Sequence, residues 1–215
     1  MPCRVLRLKA GAPVALFNGL GGEFHGVLES VSRREGVVRV EAFLPREAES
    51  PLPVSLAQCV SRGERMDYTL QKAVELGVAA VTPLLSEHAV VSLGDTERLA
   101  RRLDHWRGVV IAACQQCGRN RLPPVQEPRA LSVWLADDIP AGLKLMLEPL
   151  AARRLTELSP APAITLLIGP EGGFSQAEIT HAHSAGFIGV RLGSRIMRTE
   201  TAGLAALQTL WGDLG

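Results

Sequence analysis

Residues 163–178 read "AITLLIGPEGGFSQAE", and the fold class turns on how this stretch is divided. Ala163 to Ile168 is a short uninterrupted apolar run, the pattern of a strand covered on both faces. Gly169 and Pro170 stop it. Ser175 and Glu178 have capping-box spacing, and Phe174 with Ile179 has the spacing of a hydrophobic staple. This predicts a helix from about Gln176, with Gly186 as its C-terminal stop. "GPEGG" is then a strand-to-helix turn, the place where open α/β sheets bind ligands. Glycines allow a flat ligand to approach the backbone closely. A tight turn alone does not ask for a Glu between Pro170 and Gly172-Gly173, so the stretch reads as a ligand loop. Its ligand is unnamed at this point.

Two more turns share this character. "LGSRIMRTETAG" (192–203) follows a strand pattern and precedes a helix, and "LEP" (147–149) ends a third strand. Three such turns together describe one pocket at one edge of a sheet. Phosphate cradling by the familiar loops is disfavoured, because neither Gly-Lys-Ser/Thr nor G-x-G-x-x-G occurs.

The rest of the chain has two styles. Residues 13–43 alternate short apolar stretches with turn signals, which predicts a small antiparallel barrel. "PREAESPLP" (45–53) is polar and proline-rich and reads as a linker. Beyond it, strand patterns ("VSLAQCV", "VAAVTPLL", "LKLMLEP", "AITLLIG", "GFIGVRLG") alternate with helical ones ("RMDYTLQKAVELG", "ERLARRLDHWRGVVIAACQQCG", and about Thr201 to Trp211). That alternation predicts a parallel α/β sheet. The division is residues 1–52 and 53–215.

Composition sets outer bounds. The chain has 215 residues, 47% hydrophobic and 21% charged, which suits a globular protein of one large or two small domains. No apolar run reaches membrane-spanning length, and the start lacks the apolar core of a signal peptide, so a reducing cytoplasm is expected. Net charge is +1, and only Lys9, Lys72 and Lys144 among the 23 basic residues are Lys. Arg suits bidentate phosphate contact. Cys114-Gln-Gln-Cys117 lies in a helical stretch without a second pair or finger spacing, and reads as packing rather than as a metal site. Lys72 and Glu75 have the spacing of a surface i,i+3 pair.

Taken together, "SRGERMDYTLQKAVELGVAAVTPLLSEH", "AACQQCGRNRLPPV", "LLIGPEGGFSQAEI" and "LGSRIMRTETAGLAAL" resemble the bacterial 16S ribosomal RNA uracil-N3 methyltransferases of the SPOUT superfamily. The resemblance runs in order from about Val5 to the C-terminus. It implies a PUA-like RNA-binding β-barrel, a knotted parallel-sheet methyltransferase domain, S-adenosylmethionine as donor, 16S ribosomal RNA or the small subunit as substrate, and a homodimer. The trefoil knot would be one of the rare exceptions to un-knotted topology. Relatives of this kind carry additional residues before "VLR", so a barrel without its first strand and a weaker hold on RNA are expected. His88 stands where such proteins usually have Arg.

Carried over residue by residue, the resemblance gives Leu147, Glu148, Ile168, Gly169, Pro170, Gly172, Gly173, Leu192, Gly193, Ile196, Met197 and Arg198 as cofactor-binding. Arg198 would stabilise a developing uracil anion. Glu200 or Glu171 would take the N3 proton. Arg4, Arg7, Lys9, Arg62, Arg65, Lys72 and Arg119 are candidates for RNA contact. No metal is implied. Leu204, Leu207 and Trp211 would present a dimer face. Two alternatives stay open: a SPOUT enzyme acting on a ribose 2′-OH or a tRNA base, and an inactive RNA-binding protein.

Overall fold

A computed structural model describes residues 8–32, 35–89, 96–137, 139, 141–159 and 161–214. Arg4 and Arg7 lie outside the described residues. Two compact units are present, and the boundary is not a single cut: Gly118–Leu122 belongs with the residues up to Glu49, while Ser50–Cys117 and the chain from Pro123 form the second.

In the first unit, β1 (Pro13–Leu16), β2 (Glu23–Val31) and β3 (Gly36–Leu44) pair antiparallel in the order β1-β2-β3. Phe24 of β2 lies opposite Phe43 of β3, with ring centroids 5.0 Å apart. The expected linker is in fact tied down. Arg46 donates to Gly118 O, Asn120 donates to Arg46 O, and Glu47 accepts from Gly22 N and Arg121. Arg119 is only 4% exposed and pairs with Glu49 at 2.5 Å. The guanidinium of Arg119, a residue expected from sequence to contact RNA, is thus engaged with Glu49 inside its own unit.

The second unit is a six-stranded sheet in the order β6-β5-β4-β8-β7-β9, with every pairing parallel. The strands are β4 (Val54–Cys59), β5 (Ala80–Leu85), β6 (Arg129–Ala130), β7 (Leu143–Leu147), β8 (Ile164–Ile168) and β9 (Ile188–Val190). The helices are α1 (Arg65–Glu75), α2 (Thr96–Cys117), α3 (Leu131–Ala136), α4 (Gln176–Ser184) and α5 (Thr199–Leu214). A 3-10 turn covers Leu155–Glu157.

Every residue of β8 is buried, as its unbroken apolar run requires. Alternation along β4 sends Ala57 and Cys59 into a core with Trp134, Leu135, Phe187 and Met146, under α3 and α4. Leu56 faces the other way, against Gly203 of α5. The connectivity is not sequential: β8 inserts between β4 and β7, β9 pairs outside β7, and α5 then returns over β4 and β8. All six strands run the same way, so the exits of β4, β5, β7, β8 and β9 meet at one edge.

Candidate active site

The β8 exit is built as its sequence specifies. Ser175 Oγ accepts from Glu178 N at 3.2 Å, and Glu178 returns the bond to Ser175 N at 2.9 Å. Phe174 and Ile179 both pack on the core beneath. Gly173 has φ +73°, a conformation that L side chains rarely adopt. Glu178 also accepts from Glu87 N at 2.8 Å, which ties the β5 exit to the start of α4.

On the β4 side, Glu171 is held by several donors. Its Oε1 accepts from Arg62 N at 3.2 Å and from Arg65 Nη1 at 3.0 Å. Burial alone would raise its pKa, but its own backbone N–H, that of Arg62 and the Arg65 guanidinium together lower it. Arg65 Nε lies 3.9 Å from Glu200 Oε1, so one guanidinium stands between two carboxylates. They differ in one respect. Glu200 keeps an oxygen, Oε2, that is buried without a hydrogen-bond partner among the described residues. Buried polar atoms are nearly always paired, and an exception at the mouth of a sheet invites a ligand. Ser61 Oγ, at the β4 exit, is in the same state.

His88 is placed beside the loop, its Nδ1 3.0 Å from Gly173 O. A Cβ on Gly172 would come within 3.2 Å of the His88 Cβ. The position expected to depart from the resembling pattern thus still buttresses the glycine loop.

The other wall is made by the β7 and β9 exits. Glu148 N bonds Val190 O at 2.9 Å, and Arg191 donates to the carbonyls of Ala151 and Ala152. Between them opens a cleft of about 600 Å³ bordered by Pro149, Leu150, Arg154, Leu192, Gly193 and Ser194. Leu150 and Ile196 are 92% and 81% exposed. A Cβ on Gly193 would meet nothing within 4 Å, so backbone is open to a ligand there. Of the residues expected to line the pocket, Leu192 and Gly193 border this cleft, while the Gly169–Gly173 loop is engaged with Arg62, Arg65 and His88.

A family model described as an RNA methyltransferase domain matches residues 48–211, and one described as an RNA methyltransferase PUA domain matches residues 3–41. A ribosomal RNA small subunit methyltransferase E from Buchnera aphidicola is 35% identical, with 98% of this chain and 87% of that protein aligned. The chain belongs to the ribosomal RNA small subunit methyltransferase E family. Among solved structures of similar proteins, a methyltransferase from Legionella pneumophila with the bound cofactor SAM is 40% identical, with a TM-score of 0.93 over 98% of this chain and 86% of that one. The small subunit methyltransferase E of Neisseria gonorrhoeae, bound to S-adenosyl methionine, is 38% identical, with a TM-score of 0.91 over 98% and 87%.

For a member of this family, the groups at the edge have compatible chemistry. A glycine-lined wall and apolar Leu150 and Leu192 suit a flat base, and Glu148 and Arg198 offer charges for a polar end. Arg198 is exposed and forms no ion pair with another described residue, while its backbone O accepts from Thr201 and Ala202 at the start of α5. Lys72 pairs with Glu75 at 2.8 Å, the surface arrangement its spacing suggests. Lys9 is exposed. The residues that sequence reasoning missed are Gln58, Ser61 and Thr199. The signal was present in "VSLAQCV": a Gln inside an apolar strand of a sheet buried on both faces is out of pattern.

Proposed function

We propose that this protein transfers a methyl group from S-adenosylmethionine to N3 of a uracil in 16S ribosomal RNA of the small subunit. The family supports the RNA substrate, and the donor bound in the Legionella and Neisseria structures supports the cofactor. The observation that carries the chemistry is Glu200: its Oε1 lies 3.9 Å from Arg65 Nε, its Oε2 is buried with no hydrogen-bond partner among the described residues, and Arg198, two residues away, forms no ion pair with another described residue.

S-adenosylmethionine, when bound, supplies an electrophilic methyl group. Leu147, Glu148, Ile168, Gly169, Pro170, Gly172, Gly173, Leu192, Gly193, Ile196 and Met197 are the residues that would hold it. Uracil N3 carries a proton that must leave, and Glu200 Oε2 takes it. Arg198 faces the charge that then spreads onto the uracil carbonyl oxygens, as an oxyanion donor does. Glu171 is not the base in this reading, because its Oε1 already accepts from Arg62 N and Arg65 Nη1 and these donors, with its own backbone N–H, lower its pKa, which makes it the poorer proton acceptor. It anchors the glycine loop instead. Arg62, Lys9 and Lys72 contribute to phosphate contact, and Arg65 acts between the carboxylates.

We further assign RNA binding to residues 1–52, with 118–122 joined to them, and methyl transfer to the remainder of 53–215. The protein acts in the cytoplasm as a homodimer. Leu207 is 1% exposed and belongs to its own core, so the exposed Leu150 and Ile196 are better anchors for a second copy. Among the described residues no helix is long and apolar enough to cross a membrane. Incubation with labelled donor and small-subunit RNA, followed by nucleoside analysis, tests the reading: N3-methyluridine supports it, and a ribose methyl overturns it.

A further inference from the structure

Gln58 is 0% exposed and sits in β4, between β5 and β8, in a sheet covered on both faces. Its Nε2 donates to Thr199 Oγ1 at 2.9 Å and to Cys59 O at 3.0 Å. Thr199 Oγ1 in turn donates to Gly169 O at 2.5 Å. A hydroxyl has one proton, and here it is spent on the Gly169 carbonyl. Thr199 must therefore accept from Gln58, which fixes the amide with its nitrogen toward Thr199. Its Oε1 is left buried without a partner among the described residues. A Cβ on Gly203 would stand 3.3 Å from that oxygen, so α5 approaches the strand closely at this point.

We propose that Gln58 is a positioning residue for methyl transfer, acting through Thr199 to lock the start of α5 to the mouth of β8. This rests on the reading of the site given above. The chain of hydrogen bonds joins three segments that meet only at the sheet edge. Gly169 opens the glycine loop, while Arg198 and Glu200 flank Thr199 in sequence. One buried amide thus sets the loop carbonyl and the two charged side chains relative to each other. An apolar side chain of the same length would suit this strand better, because a buried amide with one unmet acceptor is destabilising. A residue that lowers stability where an apolar one would raise it is the expected mark of a site shaped for activity.

The test uses Gln58→Met, which keeps length and removes the amide, together with Thr199→Val, Thr199→Ser and the double variant Gln58→Met/Thr199→Val. Three readouts are taken: the melting temperature, kcat and KM for small-subunit RNA, and hydrogen exchange over residues 169–175 and 198–203 of the ligand-free protein. We expect Gln58→Met to melt at or above the parent temperature. Its kcat should fall on the order of tenfold to a hundredfold, with KM for RNA within twofold, as misplacement of reacting groups predicts. Thr199→Val should match it, Thr199→Ser should recover activity, and the double variant should lose no more than either single one, since partners in one network do not add. Exchange in both segments should accelerate. Retention of kcat, multiplying losses, or a kcat loss that merely tracks a lowered melting temperature would overturn the proposal. Exchange separates the two claims. If the parent protein does not methylate RNA but exchange still accelerates, the functional reading fails and the lock stands; unchanged exchange removes the lock.

Discussion

Glu171 and Glu200 are both carboxylates at one edge of one sheet, and their neighbours give them different work. Glu171 is surrounded by donors and has its pKa lowered, so it stays charged and holds its loop. Glu200 retains a buried oxygen with no hydrogen-bond partner among the described residues. Glu200→Gln should therefore lower kcat by about 10²–10⁴, the usual contribution of a positioned base. Glu171→Gln should act mainly on donor affinity, read by calorimetry; equal kcat losses for both would contradict the assignment. The pH behaviour of Glu171 follows from the sign of its shift. A carboxyl whose folded-state pKa is depressed adds stability above its unfolded value, and that stability is lost as pH falls through the folded value. The loop tie should thus persist at neutral pH and weaken only in acid, below the ordinary carboxylate range. Carbon-detected titration of Glu171 checks this, and Arg65→Ala should move its midpoint upward. Gly172→Val tests the loop sterically. With the His88 Cβ 3.2 Å from the position of its Cβ, a branched side chain must push the loop or the histidine. Donor affinity should be lost while the melting transition persists, and unchanged affinity would remove this loop from the cofactor site.

At the level of elements, the start of α4 is legible in sequence because its signals are local: Ser175, Glu178 and the Phe174–Ile179 staple all lie within one turn or so. Ser175→Ala should cost about 1 kcal/mol by thermal or chemical melting. Glu178→Ala should cost more, because the same side chain also holds Glu87 N of another loop. No cap signal announces that second bond, which joins residues 91 positions apart. The same limit applies elsewhere. β6 has two residues and α3 six, too short for any period to register, and both exist because Leu131, Trp134 and Leu135 bury against the sheet. The Gly169–Gly173 and Leu192–Gly193 turns were visible as unusual turns. Which walls they form was not, since that depends on β8 inserting between β4 and β7. Gln58 was overlooked for a similar reason: its partner Thr199 is 141 residues away.

At the scale of the whole molecule, the first unit is not a simple N-terminal piece. Arg119, read from sequence as an RNA contact, is a buried clasp on Glu49. Truncating one partner of such a pair leaves the other charge stranded, and Arg119→Ala should destabilise that unit by up to about 3 kcal/mol. Limited proteolysis near residue 49 and a shifted melting transition would report it; an unchanged melt would show the clasp to be idle. RNA affinity should fall with salt in proportion to the phosphates contacted, so loss of Lys9 or Arg62 should shallow the slope by about one unit or slightly less. The homodimer reading requires a specific interface of at least ~1,000 Å². Leu150→Asp with Ile196→Asp should then yield a monomer by sedimentation. Methylation of uracil N3 by these loops and carboxylates can be read from the product itself. Small-subunit RNA is treated with the protein and isotopically labelled S-adenosylmethionine, digested to nucleosides and resolved by mass spectrometry. Label should appear in N3-methyluridine with the parent protein and nearly disappear with Glu200→Gln; label confined to ribose-methylated nucleosides, or none at all, would overturn the assignment.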